Sequence, residues 1–399
     1  MDPCRYALLW SALGALLAPV SAAQAQSYLM SRMAQLPEYA GSAGGARIYG
    51  TVDLGMMYTR TDAGGGRWQM QSGGEHTSKL GFYASENLGG DLKAEVKLEA
   101  GINADTGAQQ ASALFNRESW IGLRSPTLGT LRLGNQINAM LPLYIDPFGL
   151  VTTNSVYAWV AGGAVQSARG VGYNTDLGPG ASTIPVRVPK SITYATPRLG
   201  GLAAQVIHAS NPTGGSEPKT GTRGGVVSYI AGPFYVAASL IQAWSSPVAV
   251  TAGEPSRPVR TDIPSVGLIY DNGKLVLSTS FARIEPRLAQ GGEARLGTVG
   301  LIVPSGRFTY RVSAVYRDTE RARDSAGRLA ESSALGLMLG ADYELSRRTG
   351  LYLRSGSVRN FGASTIILNS VPLPLEPGST APRTGIETRT LSLGMYHNF

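Results

Sequence analysis

The chain ends in the ten residues "TLSLGMYHNF" (390–399), and this stretch has the pattern of a β-strand that runs to the last residue. One set of alternate positions is mostly apolar and consists of Leu391, Leu393, Met395, His397 and Phe399. Side chains on a strand point to opposite faces in turn, so this alternation favours a strand. Chain ends usually fray into polar tails, whereas here the last residue belongs to the apolar face. We therefore expect the end of the chain to be part of the fold.

The composition favours one large β-rich unit over several domains. Hydrophobic residues make up 43% of the 399 positions, charged residues only 16%, and glycine occurs 51 times. No Pro/Ser-rich linker or shift in composition divides the chain. Apart from the N-terminus, no stretch reaches the ~18 to 20 uncharged apolar residues that a membrane-spanning helix needs.

Residues 1–25 have the pattern of a secretory signal peptide. Arg5 precedes an apolar segment that ends in the motif A-Q-A, which is typical of a cleavage site. The alternative is an uncleaved membrane anchor. Cleavage after Ala25 would remove Cys4, the only cysteine, and leave an exported protein without disulfides. The net charge of +8 comes from dispersed rather than clustered basic residues, which argues against nucleic-acid binding.

Alternating segments recur from residue 47 to the C-terminus. In "LKAEVKLEAGI" (92–102), apolar residues alternate with a charged set, namely Lys93, Glu95, Lys97 and Glu99. In "RFTYRVSAVYR" (307–317), Arg311 and Arg317 share the polar face, where they would form part of a second wall. A helix would scatter these sets around its circumference, so the pattern predicts strands.

Two classes of connection separate these strands. Seven short turn signals rich in Gly, Asn and Pro occur at 87–90, 126–129, 197–201, 231–234, 271–273, 304–306 and 345–350. Eight longer polar or Gly/Pro-rich segments occur at about 60–76, 103–114, 136–186, 210–222, 244–261, 285–295, 319–331 and 360–384. Fifteen connections join sixteen strands, and short turns at one end with long loops at the other are typical of an outer-membrane barrel. A soluble β-sandwich or a secreted propeller would not explain this asymmetry.

A closed barrel also explains the C-terminal strand. Such a barrel leaves no unpaired edge in lipid, because its last strand pairs with its first. We therefore predict an all-β fold, a transmembrane antiparallel barrel of about sixteen strands. Both termini should lie at the end of the barrel that carries the short turns.

Several segments resemble the Gram-negative general-diffusion porins. The most specific is "SKLGFYASENLGGDLKAEVKLEAGINADTG" (78–107). Further similarity lies in "RIYGTVDLGMMY" (47–58), "FNRESWIGLRSPTLGTLRLGNQ" (115–136), "ITYATPRLGGL" (192–202) and the terminal "LGMYHNF". The resemblance covers nearly all of residues 47–399. It leaves residues 26–46 as an N-terminal extension of unknown role, either a periplasmic tail or part of a plug.

The resemblance implies a homotrimer in the outer membrane, in contact with lipid and lipopolysaccharide, with no cofactor and with a third loop folded into the lumen. It also implies that Phe399 is read by the barrel-assembly machinery. Three family positions that are usually basic are occupied here by Tyr83, Asn135 and Thr193. These losses put the usual selectivity filter in doubt.

The candidate constriction residues are Lys79, Lys97 and Arg132, which we expect on three neighbouring strands, together with Tyr83. Glu95 and Glu99 share the lumen face with Lys97 and should reduce its field. The alternative for each basic residue is that it is simply solvated in a wet lumen. Arg117 reaches the lumen only if a bulge reverses its parity, because it alternates in step with apolar residues.

Asp146 is the only acid of the long third loop before Tyr173. Facing the basic residues of the wall, it would create a transverse field across the opening. Alternatively, it merely caps the turn "DPFG" (146–149). The sequence leaves both roles open.

Catalysis is not indicated. The three histidines are dispersed, and no nucleophile elbow or H-E-x-x-H motif is present, so neither an enzyme nor a His/Cys metal site is expected. The predicted function is passive diffusion of small hydrophilic solutes and ions, with a weak anion preference. The alternatives are a channel specific for small carboxylates or aromatics, and an adhesin or scaffold with a blocked lumen.

Overall fold

The computed structural model describes residues 27–36, 45–138, 146–149, 152–210, 220–251, 253–323 and 328–399. Within these residues there are two α-helices, α1 (Tyr28–Gln35) and α2 (Val156–Val160), and one 3₁₀ turn (Thr175–Leu177). The strands are β1 (Gly45–Thr61), β2 (Gly66–Ser72), β3 (Lys79–Gly89), β4 (Leu92–Asn103), β5 (Ala108–Gln109), β6 (Glu118–Ser125), β7 (Gly129–Ile137), β8 (Ala164–Ser167), β9 (Gly170–Tyr173), β10 (Arg187–Ala195), β11 (Leu202–Ser210), β12 (Thr220–Ala231), β13 (Phe234–Trp244), β14 (Arg260–Asp271), β15 (Val276–Pro286), β16 (Glu293–Ser305), β17 (Phe308–Arg323), β18 (Leu329–Glu344), β19 (Thr349–Gly362) and β20 (Glu387–Asn398).

The strands form one closed antiparallel barrel with sixteen positions, as predicted. β2 and β3 share the second position, because β1 pairs with β2 through its second half and with β3 through its first half. β5 only extends the end of β4, and β8 and β9 form a separate hairpin. Every other strand pairs with the neighbours that the chain order predicts.

The expected closure at the C-terminus is confirmed. β20 pairs with β1 from Asn398 opposite Thr51 to Thr388 opposite Thr61. The backbones of Phe399 and Gly50 then exchange two hydrogen bonds of 3.0 and 3.1 Å. A side chain at position 50 would not fit, since a Cβ there would lie 2.4 Å from the Phe399 ring. The last residue is therefore a rung of the closing ladder.

The seven short turns all lie where the sequence predicts them, but the predicted loop at 60–76 is wrong. Residues 62–65 make a tight turn, and β2 follows at once. An inward turn at residues 73–78 then separates β2 from β3. Two Gly-rich stretches bracket this short strand, so the whole segment has the composition of a single polar loop.

Alternate side chains point outward and inward along the wall. On β20, Leu391 and Leu393 are exposed on the outer surface, whereas Ser392 between them is buried on the inner side. At the short-turn end, outer aromatic rings touch across strands, with 5.1 Å between the ring centres of Phe234 and Tyr270. Aromatic girdles of this kind mark the membrane interfaces of outer-membrane barrels.

The N-terminal part is described only for residues 27–36, which contain α1. Of the helices within the described ranges, none has the length and apolar character needed to cross a membrane. The predicted signal peptide, residues 1–25, lies outside the described residues. β1 begins at Gly45, so the barrel starts two residues before the predicted boundary at residue 47.

Candidate functional site

The third loop connects β7 to β10, and its described residues 146–149 and 152–186 fold into the barrel and pack on one side of the inner wall. α2 lies against β17, β18 and β19, and its Val156 and Val160 are fully buried. The inner wall contributes Val315, Met338 and Val358 to the same apolar core. The predicted inward fold is confirmed, and an apolar core fills this part of the lumen.

Two features of the wall hold the third loop in place. Arg317 is buried on β17 and donates to both carboxylate oxygens of Asp176 at 3.0 Å and to Asn174 Oδ1 at 2.8 Å. Hydrogen bonds between a charged guanidinium and a carboxylate are stronger than those between neutral groups. Gly300 on β16 provides room for the loop, because a Cβ there would lie 2.5 Å from Pro147. Arg317 therefore anchors the loop rather than lining an open passage.

Asp146 belongs to the third loop and is buried against β17. Its carboxylate accepts a hydrogen bond from the Ser313 hydroxyl and one of 2.9 Å from the Phe148 N–H, and its carbonyl accepts one of 3.0 Å from the Gly149 N–H. Burial raises its pKa to about 6, although these bonds and the charge of Arg311 act in the opposite direction. The contacts of Asp146 are thus with its own turn and with β17.

The inward turn at residues 73–78 brings an acid to the same part of the wall. Asp53 on β1 holds this turn by accepting three of its backbone N–H groups at 2.6 to 3.2 Å. Glu75 then lies 3.0 Å from Arg311 and also pairs with Arg354. The turn is therefore part of the lumen and not of the outer loops.

Glu75, Arg311, Asp342 and Arg354 form a group that we call the paired cluster. Asp342 joins it by pairing with Arg311 at 2.5 Å and with Arg354. Arg311 also donates to the carbonyl of Pro147 at 2.6 Å, so the cluster also binds the third loop. Two guanidinium groups face two carboxylates, so the formal charges of the cluster cancel.

A second group of charges lies on β3, β4 and the start of β6. Lys79 and Lys97 are on adjacent strands and both are buried. Lys97 Nζ is 3.1 Å from Glu118 and 3.6 Å from Glu99. Arg117 Nε is 2.6 Å from Glu99, so this residue reaches the inner side from a position just before β6. Close carboxylates surround these cations.

Arg132 lies on β7, and β6 separates it from β4, so the predicted set of three neighbouring strands is wrong. Its guanidinium is 4.1 Å from the centre of the Trp120 ring and 3.8 Å from Glu95. Glu95 also accepts a 2.9 Å hydrogen bond from Tyr83 and lies 3.7 Å from Arg124. The side chain of Arg132 is 38% exposed and that of Arg124 is 60% exposed, in contrast to 7% for Lys97.

We call these eight charges the basic wall. Its members are Lys79, Lys97, Arg117, Arg124 and Arg132 with Glu95, Glu99 and Glu118. The structure thus brings together four of the residues chosen from the sequence, Lys79, Tyr83, Lys97 and Arg132, but places the fifth, Asp146, against β17. The basic wall carries two more positive than negative groups.

Sequence reasoning missed Glu75 and Arg354. Arg354 carries the same signal as Arg311, because it alternates with outward-facing residues along β19. Glu75 gives no such signal, since it lies between two strands in a turn without periodicity. Over the described residues, no group of three His, Cys, Asp or Glu side chains is arranged to hold a metal ion.

Comparison with known proteins agrees with this architecture. A family model for Gram-negative porins matches residues 11–363 of the chain. Outer membrane porin protein 32 of Delftia acidovorans is 28% identical over 330 residues, which cover 81% of this chain and 86% of that protein. Major outer membrane protein P.IB of Neisseria lactamica is 25% identical over 323 residues, which cover 77% of this chain and 86% of that protein.

Solved structures show the same fold. An anion-selective porin from Comamonas acidovorans superposes with a TM-score of 0.69 at 24% identity, covering 89% of this chain and all of that one. The trimer form of OmpT from Vibrio cholerae superposes with a TM-score of 0.59 at 14% identity, covering 90% of this chain and all of that one.

Proposed function

Because this chain belongs to the Gram-negative porin family, we propose that it is a general diffusion channel with a weak preference for anions. Members of this family are channels of the Gram-negative outer membrane and not enzymes. The chain accordingly forms an outer-membrane pore. Its ion preference and its preferred solutes are the new part of the proposal.

The main support for an anion preference is the exposure of two cations on the basic wall. Lys97 and Arg117 are buried among Glu99 and Glu118, so their fields are largely compensated. Arg124 and Arg132 share a single acid, Glu95, and keep much of their surface exposed. Charged groups that line a pore favour ions of the opposite sign. The exposed excess is positive, and it therefore favours anions.

The remaining charges of the lumen keep this preference weak. The paired cluster is balanced, and the third loop adds the buried Asp146 next to it. The field across the lumen therefore runs from the basic wall towards a neutral or slightly acidic side. Exposed charges are screened over about 8 Å at physiological salt, so the preference should fade at high salt.

The partners in the proposal come from the family. One structural neighbour is described as an anion-selective porin and another as a trimer form. We extend both properties to this chain, which would be a homotrimer surrounded by lipid and lipopolysaccharide and inserted by the barrel-assembly machinery. Its cargo would be small hydrophilic solutes and ions.

The test is the reversal potential in a planar bilayer under a potassium chloride gradient. We expect the wild type to favour chloride, and the double variant Arg124→Glu with Arg132→Glu to favour potassium. Arg389→Glu is the matched control, because Arg389 is 74% exposed on the outer side of β20 and should leave the potential unchanged. Clear cation selectivity in the wild type would contradict the assignment.

Liposome swelling separates the alternatives. A general channel admits many small sugars in order of size. A channel specific for carboxylates or aromatics, which the apolar core of the third loop would favour, admits only a few solutes. An adhesin or scaffold with a blocked lumen admits none.

A further inference from the structure

The N-terminal helix α1 lies inside the barrel at its short-turn end, where the chain terminus also lies. Its polar contacts include inner-facing residues at the ends of three strands, Asp271 on β14, Thr309 on β17 and Glu344 on β18. The hydroxyls of Tyr28 and Thr309 are 3.0 Å apart. The helix therefore runs along the inner wall and does not hang below it.

The first turn of α1 is fixed by one carboxylate. Asp271 accepts hydrogen bonds from the Ser27 hydroxyl at 2.6 Å, from the Tyr28 N–H at 2.9 Å and from the Leu29 N–H at 2.8 Å. The first N–H groups of a helix lack partners within it, and a negative charge there is favourable. Asp271 thus supplies, from the wall, the hydrogen-bond acceptors and the negative charge that stabilise the first turn of the helix.

The other end of α1 is held by an ion pair between Arg32 and Glu344. Between the two attachments, α1 covers an apolar patch. Tyr28 and Leu29 pack against Ile269, Val276 and Ile302, which are buried on the inner sides of β14, β15 and β16. An open aqueous mouth would favour polar side chains at these positions. The apolar patch indicates that this part of the wall is built to be covered.

We propose that α1 is a second filter at the periplasmic exit, in series with the third loop, an inference that rests on the proposed channel function. A helix of this length is about 12 Å long, and its contacts extend from β14 to β18. Met30 and Met33 are 63% and 41% exposed, so the helix presents them away from the wall. Solutes leaving the channel would pass these side chains.

Two constrictions in series divide the resistance of the pore. If they are comparable, removing one raises the conductance by up to about twofold. Ion preference should change little when both charges of the Arg32–Glu344 pair are removed together, because Arg32 is the only charged residue in α1. The signature is therefore a larger current with the same reversal potential.

Single-channel conductance tests the proposal on the full barrel. Deleting residues 27–36 together with Glu344→Gln, and separately Arg32→Gln with Glu344→Gln, both remove the two members of the ion pair without changing the net charge, and both should raise the conductance at an unchanged reversal potential. Arg348→Glu is the matched control at the same end of the barrel. There the Arg348 carbonyl accepts a 2.8 Å hydrogen bond from the Asn398 N–H, and wild-type conductance is expected.

A thiol experiment keeps the proposal testable even if the deletion prevents folding. The only native cysteine, Cys4, falls in the predicted signal peptide. Modifying Met33→Cys with a bulky cationic thiosulfonate should reduce the current. The same reagent on Leu375→Cys, a 48% exposed position between β19 and β20, should not reduce it.

An unchanged current after full modification of Met33→Cys, verified by mass, would refute the filter. So would wild-type conductance after deletion of α1. A wild type without any current would instead refute the channel itself.

Discussion

Asp146 shows how a single buried group couples the third loop to pH. The carboxyl holds residues 146–149 of the loop against Ser313 and caps the turn at Phe148. Its pKa of about 6 in the folded protein lies above the ordinary value of 3.8. The docked loop therefore binds the proton more tightly than the undocked loop. Docking should be strongest below about pH 4 and should weaken as the pH rises through 6.

Because docking weakens as the pH rises, we predict more fluctuation of the third loop at pH 7.5 than at pH 5. The fluctuation should be seen as open-channel noise in single-channel recordings. Asp146→Asn keeps the acceptor for Phe148 and cannot ionise, so its noise should not depend on pH. Asp105→Asn replaces an exposed acid in the second loop (103–114) and should retain the wild-type profile. A pH dependence that survives in Asp146→Asn would show that another group controls the loop.

The sequence predicts which face these residues occupy but not their partners. Lys97 is on the inner face because of strand alternation, which is a local property. Its compensation by Glu118 depends on the pairing of β4 with β6, and the contact of Asp146 with Ser313 joins residues 167 positions apart. Such contacts follow from the closed barrel and not from any local pattern.

At the scale of the elements, the C-terminal strand combines two roles that can be separated. The backbone of Phe399 extends the ladder to Gly50, and its ring lies on the outer surface over that glycine. The ladder needs only the backbone, whereas recognition by the assembly machinery would need the aromatic ring.

Deleting Phe399 removes both the backbone hydrogen bonds and the aromatic ring. The amount of folded barrel in the outer membrane, measured by heat-modifiable mobility on a semi-native gel, should fall. Phe399→Ser keeps the backbone bonds and removes the ring, and Phe399→Tyr keeps both. If the ring is read as an assembly signal, the Ser variant behaves like the deletion and the Tyr variant like the wild type. Normal yields for the deletion would show that neither role limits assembly.

Two elements could not be predicted from the sequence, because each depends on a distant residue. α1 has only eight residues, and its first turn is completed by Asp271, more than 240 positions away. The inward turn before β3 is likewise organised by Asp53 on another strand. Strands of ten or more residues show their period locally, but short elements that depend on distant partners do not.

At the scale of the whole molecule, the lumen is divided between a packed side and a charged side. The third loop and the inner faces of β10 to β19 share an apolar core, while β3 to β7 carry the basic wall. An inward-facing position is thus not equivalent to a water-facing one in this barrel. The alternation of side chains along a strand separates the inner face from the outer face. It does not distinguish inner positions in the apolar core from inner positions near the basic wall.

The same substitution should therefore have opposite consequences on the two sides. Val358→Arg buries a charge without a partner in the core under α2 and should cost on the order of 3 to 5 kcal/mol. Gln205→Arg places the same side chain on a partly exposed inner position of β11 and should be tolerated. The temperature at which the folded band disappears on a semi-native gel measures the difference, and Val358→Ile controls for a change of shape alone. Equal stability of the two Arg variants would mean that the third loop leaves the wall easily, because an undocked loop exposes position 358 to water.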